Sequence, residues 1–164
     1  MIAKEMNRRL TVTKQLVIPH PAPSALAVVQ DIKSIEVTER KARVVEVMPE
    51  DDHRGRYRVK GRFAGYPWKG EFEYRLHDKG FHSVDVFTKS AEPAISGGFF
   101  VVPLGDDHCL VVHYEQYELP AFLVPFKPLL AAYLRSSMRT ELREIERLTA
   151  RMGSGGSQET PLSP

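Results

Sequence analysis

The segment 128–152, PLLAAYLRSSMRTELREIERLTARM, has no Gly and no Pro after its first residue, and Leu130, Tyr133, Leu134, Met138, Leu142, Ile145, Leu148 and Met152 recur at steps of three and four. That is the period of an amphipathic helix, and a helix of this length spans roughly 37 Å. A strand of ten residues reaches about 33 Å, so this helix is long enough to lie along a whole sheet. Gly153 marks its end. No other segment of the chain promises a helix of comparable length, so whatever sheet the rest forms depends on this one for cover.

Upstream the period is two. Leu10, Val12, Leu16 and Ile18 share one parity, and Pro19 and Pro21 stop the run. This reads as a first strand. Ser24 is placed to cap a short helix over Ala25–Ile32, with a second short helix or turn around Lys33–Thr38. Six further strands are expected at 41–48, 54–63, 66–77, 80–88, 95–104 and 108–118. Ala64-Gly65, Asp78-Lys79-Gly80 and Gly105-Asp106-Asp107 are short turns built from residues that tolerate positive φ, so successive strands should pair antiparallel. Tyr57, Val59 and Phe63 alternate with Arg56, Arg58, Lys60 and Arg62; Trp68, Phe72, Tyr74 and Leu76 alternate with Lys69, Glu71, Glu73 and Arg75. Each strand therefore has one wet and one covered face, and the wet faces set a basic row opposite Glu71 and Glu73. A seven-stranded antiparallel sheet with one apolar face and one long helix is an α+β domain. For the sheet to use that helix as cover it must curl around it, which leaves room for a pocket between them.

The 164 residues suit one domain over 10–152, with a flexible N-terminus over 1–9 and a disordered Ser/Gly/Pro-rich tail over 153–164. Hydrophobic residues at 42% and charged residues at 27% exclude collagen-like, disulfide-scaffold and largely disordered classes. Apolar stretches are short, and Met1–Leu10 lacks the apolar core of a secretory signal, so a cytoplasmic protein is expected. The single Cys109 fits that compartment. The net charge of +2 hides segregation: 13 Lys/Arg against 8 Asp/Glu over 1–62, 4 against 9 over 63–126, and 6 against 3 over 127–152.

The chain resembles the Bet v 1-like or START-related superfamily, whose fold is the helix grip. The resemblance is carried by LTVTKQLVIPHPAPSALAVVQDI at 10–32, by VVEVMPED and the hairpins behind it, by GGFFVVPLGDDHCLVVHYEQYELP at 97–120, and by the long helix. Within the superfamily it looks nearest to the bacterial polyketide cyclase/dehydrase and lipid-transport group, with coenzyme Q-binding relatives. The proline and tryptophan frequent after that group's first helix are absent from Lys33–Lys41. The resemblance implies a helix-grip fold that houses a hydrophobic ligand.

The pocket wall is expected from inward strand positions and the inner helix face: Tyr57, Phe63, Trp68, Phe72, Tyr74, Phe99, Val101, Tyr133, Leu134 and Met138. The plain alternative is that these residues are solid core. Tyr57, Tyr74 and Tyr133 discriminate, because a buried hydroxyl requires a partner. For chemistry the weaker candidates are His82 and Asp85, which have opposite parity, and the paired ones are His113 with Glu115, at i and i+2 on one strand face. Such a pair suits a general base with its orienting carboxylate, or two metal ligands; a structural or solvated role is the alternative. No nucleophile elbow, phosphate loop or paired Cys/His zinc spacing is present, so no cofactor and no metal are expected. Arg135, Arg139, Arg143 and Arg147 recur every four residues on the last helix, either as a solvated flank or as a transient contact to a membrane surface. No nucleic-acid partner is expected, since the aromatics lie on the covered face. The leading expectation is binding or transport of a hydrophobic or amphiphilic small molecule (lipid, quinone or polyketide-like). The alternatives are a polyketide cyclase/dehydrase-type enzyme using a cavity His, Asp or Glu, and a protein-interaction module.

Overall fold

The computed structural model describes residues 8–34, 42–63, 66–86 and 94–154. Strand β1 (Arg9–Ile18) leads into helix α1 (Ala22–Gln30) and a 3-10 turn (Ile32–Ser34). Strands β2 (Ala42–Pro49), β3 (Arg54–Phe63), β4 (Tyr66–His77), β5 (Gly80–Asp85), β6 (Ile95–Pro103) and β7 (Cys109–Glu118) follow. A 3-10 segment (Ala121–Phe126) then runs into helix α2 (Lys127–Ser154). The expected α+β architecture is present, with each strand within a few residues of its reading from alternation. The expected flexible start over 1–7, the turn Ala64-Gly65, the remainder of Lys33–Thr38 and the tail from 155 lie outside the described residues.

All pairings are antiparallel, in the order β1-β7-β6-β5-β4-β3-β2, so β2 to β7 form a meander and β1 returns to its far edge. Gly105 turns between β6 and β7 at φ 149°, which favours glycine. On the wet face the expected ladder forms: Arg58 sits opposite Glu71 and bonds it at 2.9 Å, and also reaches Glu46 at 2.9 Å. Arg75 rather than the facing Arg56 takes Glu73, at 3.4 Å.

Helix α1 starts at Ala22, earlier than a Ser24 cap implies. Pro23 sits in the first turn, where its fixed φ helps and its missing N–H costs nothing. Pro21 is the cap residue, and its carbonyl accepts the Ser24 N–H at 3.1 Å. Helix α2 is also differently placed. It packs closely on β1, β7 and α1 rather than along the whole sheet. Gly153 lies inside its last turn instead of ending it.

This placement divides the interior. One apolar cluster gathers Ile18, Ala25, Val28, Val29, Cys109, Val111, Leu142 and Ile145 with the inner residues of β3 to β6. A smaller one joins Leu10, Val12 and Leu119 to Ala131, Leu134 and Met138. Where α2 lies off β3, β4 and β5 there is, among the described residues, a cavity.

Candidate functional site

The cavity holds about 440 Å³, within the range of small-molecule sites. Its wall runs from the inward faces of β3 and β4 (Tyr57, Val59, Trp68, Phe72) through β5 and β6 (Phe81, Ser83, Gly97, Phe99) to β7 (His113, Glu115, Tyr117). Leu119, Pro120, Leu123, Leu130 and Leu134 form the side toward α2.

Aromatic rings fix most of this wall. Tyr57 stacks on Phe72 with centroids 5.4 Å apart, and Trp68 meets Phe72 edge-on at 6.4 Å. The Tyr57 hydroxyl donates to Ser83 Oγ at 3.1 Å, so that phenol has a partner within the protein. The indole N–H of Trp68 is buried and finds no acceptor among the described residues. Gly97 contributes no side chain and faces Glu115 across the β6–β7 pair, which keeps the cavity open beside that carboxylate.

The polar corner is built from two elements. His113 and Glu115 alternate inward on β7, and Glu141 meets them from α2; His113 is 2% and Glu141 0% exposed. His113 Nδ1 lies 3.2 Å from Glu141 Oε2, and His113 Nε2 lies 3.5 Å from Glu115 Oε1. Each carboxylate is held by a hydroxyl on its other oxygen: Tyr117 donates to Glu115 Oε2 at 2.8 Å, and Ser137 donates to Glu141 Oε1 at 2.8 Å. The ring of Phe99 lies 4.1 Å from that of His113, nearly parallel. Buried polar groups of this kind need partners, and here the three side chains approach one another while a hydroxyl holds one oxygen of each carboxylate.

Of the residues expected at the wall, Tyr57, Trp68, Phe72, Phe99 and Leu134 line the cavity. Tyr74, Val101 and Met138 do not: they are buried in the two apolar clusters. Val101 sits further along β6, opposite Val111. Tyr74 fills the space left by Gly55, where a Cβ would stand 2.8 Å from its hydroxyl oxygen, and burial raises its pKa, with Asp51 and Glu50 adding to the effect. Tyr133 faces outward at 39% exposure, because the first turns of α2 carry apolar residues on more sides than one contact can cover. The Phe63 side chain lies outside the described residues.

Among the catalytic candidates, His113 and Glu115 reach the wall, and His82 and Asp85 do not. His82 points to the other face of the sheet, where it stacks on Tyr114 and hydrogen-bonds its hydroxyl. Burial lowers its pKa, helped by His77 and Arg75. Asp85 shares the inward parity of Phe81 and Ser83 but lies beyond the wall, at the end of β5. Sequence reasoning missed Glu141 altogether. Its signal was present: a carboxylate in the stripe Met138, Leu142, Ile145. Arg135, Arg139, Arg143 and Arg147 are exposed, and Arg147 pairs with Glu144 at 2.7 Å.

Neither a protein-family model nor a curated protein sequence matches the chain. Solved structures do. The Zhui aromatase/cyclase from Streptomyces sp. R1128 superposes with a TM-score of 0.73 at 14% identity, over 90% of this chain and 98% of its own. This is the helix-grip fold of the Bet v 1-like and START proteins. A START superfamily protein from Mycobacterium smegmatis shares the fold at a TM-score of 0.67 and 12% identity, over 87% of this chain and 98% of its own. Norcoclaurine synthase from Thalictrum flavum, solved with dopamine and hydroxybenzaldehyde, matches at 0.63 and 14%, over 92% of each chain. These helix-grip neighbours include both enzymes and a START protein, so the fold alone does not choose between catalysis and binding.

Proposed function

We propose that this helix-grip chain binds a hydrophobic or amphiphilic small molecule in the cavity between β3–β7 and α2, and carries or presents it. The observation that carries this reading is a 440 Å³ space with an aromatic and aliphatic wall and one polar corner. That combination suits a ligand with an apolar body and a polar end: the rings take the body, and the His113–Glu115 corner takes the polar end. Trp68 is the chain's one tryptophan, so its fluorescence reports occupancy. Titration with an apolar dye should shift that emission saturably; no change with any apolar probe, together with no co-purifying organic molecule by native mass spectrometry, contradicts the reading.

Exchange of such a ligand with a lipid surface belongs to the same proposal, with the contact moved from where the arginine row alone would put it. Phe122, Phe126 and Leu129 are 72%, 54% and 69% exposed. They follow at i, i+4 and i+7, continued by Tyr133, beside Leu123 and Leu130 of the cavity wall. An apolar stripe adjoining that wall, with Lys127 and Arg135 near it in sequence, suits insertion between acyl chains.

A second reading is favoured by one observation, the presence of His113 and Glu115 in the cavity wall. In a cyclase- or dehydrase-type enzyme this pair would move protons on a bound ligand while Glu141 orients the imidazole. Such an enzyme would lose turnover in a His113→Gln variant that still takes up the dye.

A further inference from the structure

The outer face of the sheet, opposite the cavity, divides into two halves of different chemistry. On β3 and β4 an unbroken basic row from Arg54 to Arg62 faces Lys69, Glu71, Glu73 and Arg75. On β1, β7, β6 and β5 the outward positions over 11–17, 110–116, 96–102 and 80–84 hold no Lys, Arg, Asp or Glu. Burial lowers the pKa of His82, with His77 and Arg75 adding to the effect, so this half carries no formal charge at neutral pH.

The uncharged half is apolar where it is most open. Val17 is 50%, Val102 42% and Phe100 39% exposed, and the two valines flank Leu110 in one cross-strand row. In the next row Val112 lies between Gln15 and Phe100. Phe100 stacks on Tyr114 with centroids 5.4 Å apart, and Tyr114 stacks on His82 at 5.9 Å, a line of three rings across β6, β7 and β5. Gly98 stands between Tyr114 and His82 in the register and has no side chain, which lets the two rings meet over it. The Tyr114 hydroxyl and His82 Nδ1 are hydrogen-bonded to each other, so this line is held in place before any partner arrives. Aromatic rings ordered in advance lose little entropy on contact, and aromatic residues with few charges are the composition of interface centres.

We infer that this face is a self-association surface, on which a second copy of the chain packs the same face about a two-fold axis. Charge selects this occupant. A charged partner finds no opposite charge here, and the face lacks the Lys and Arg by which peripheral elements seat on anionic lipid. An uncharged sheet face is matched by another sheet face packed about 10 Å away. The chain itself supplies one, and a two-fold interface sets a patch against its own copy. The charged rows of β3 and β4, with Arg9 and Glu118 facing each other at the end of the β1–β7 pair, then form the polar rim. Area sets the strength. Four strands about 4.8 Å apart, rising about 3.3 Å per residue, give the patch roughly 400 Å². Two copies in contact then bury about 800–1,000 Å², the lower end of specific interfaces, which makes the dimer weak and reversible.

The test is sedimentation velocity of the full chain from about 5 µM to about 500 µM, a range that brackets a weak complex. The expected result is a reversible rise from 18.6 kDa toward twice that mass. Association should weaken tenfold or more in Val102→Lys and in Phe100→Glu, and stay within twofold in Val45→Lys, an exposed valine on β2 outside the face. Val17→Lys and Val102→Lys change open positions that leave the fold intact, as circular dichroism would check, so the test stands even if Phe100→Glu does not fold. A single 18.6 kDa species at every concentration overturns the inference. A dimer that stays within twofold in Val17→Lys and Val102→Lys but is lost in Phe122→Ser also overturns it, by moving the contact to the apolar stripe that leads into α2. A monomer whose binding to phosphatidylcholine vesicles is lost in Val102→Lys assigns the face to lipid and overturns it likewise. Dye uptake read by Trp68 reports on the other side of the sheet, so failure of either claim leaves the other standing.

Discussion

The two ends of the interior are built from the same sheet and the same helix, yet one is solid and the other hollow. At the closed end α1 adds a second helix, and Ile18, Val28, Val29, Cys109, Val111 and Ile145 fill the space between α1, α2 and the sheet. Burial there raises the Cys109 thiol pKa. At the open end, among the described residues, α1 does not reach, α2 stands over β1 and β7, and β3 to β5 border the cavity. A single cylinder cannot cover a seven-stranded curved sheet, and the cavity is what remains where the second helix stops. The lesson is that hollowness here follows from element count and placement, not from a shortage of large side chains.

That contrast can be broken experimentally. The largest effect is expected at the closed end: Ile145→Ala removes a side chain 1% exposed and should cost about 2–5 kcal/mol in denaturant unfolding, with dye affinity nearly unchanged. At the open end Leu130→Ala should cost under about 1.5 kcal/mol, since its side chain is only partly buried and already borders the cavity. Phe72→Ala should weaken uptake of an apolar dye tenfold or more, because it removes the ring that holds both Tyr57 and Trp68. If Ile145→Ala and Leu130→Ala destabilise equally, the two ends do not differ as described.

A smaller effect concerns pH. The folded chain holds the His82 pKa below its ordinary value of 6.5, chiefly through burial. The unfolded chain therefore binds that proton more readily, so the contribution of His82 to stability is full above about pH 6.5 and declines as the pH falls below it. Replacing His82 with Gln should flatten the fall in melting temperature between pH 7 and pH 5; an unchanged slope assigns the acid sensitivity elsewhere. The smallest expected effect is on the wet face, where Arg58→Ala removes contacts to Glu46 and Glu71 from an exposed ladder and should leave the melting temperature nearly unchanged.

Much of this was legible in the sequence, for a physical reason. Strand limits and hairpins are written locally, in two-residue alternation and in Gly/Asp turns, so β1 to β7 could be read within a few residues. Four of the expected wall residues, Tyr57, Trp68, Phe72 and Phe99, line the cavity because strand parity fixes which side they take. What was not legible depends on how distant elements meet. Tyr133 and Leu134 are neighbours on an apolar stretch, and only the seat of α2 on β1 decides that Leu134 turns in and Tyr133 out. Glu141 belongs to the site because α2 crosses His113, a contact between residues 28 apart in sequence that no local pattern announces. Helix α1 started early because Pro23 is welcome in a first turn, and a capping serine was the wrong signal to follow.

The central claim is that the space beside His113 and Glu115 takes up a small molecule, and its most direct measurement is Trp68 emission during titration of the full chain with an apolar dye. The account predicts a saturable shift with one dye per chain, lost or weakened at least tenfold in Phe72→Ala and retained in Ile145→Ala. A titration with no saturable shift, or one equally weakened by both substitutions, would contradict it.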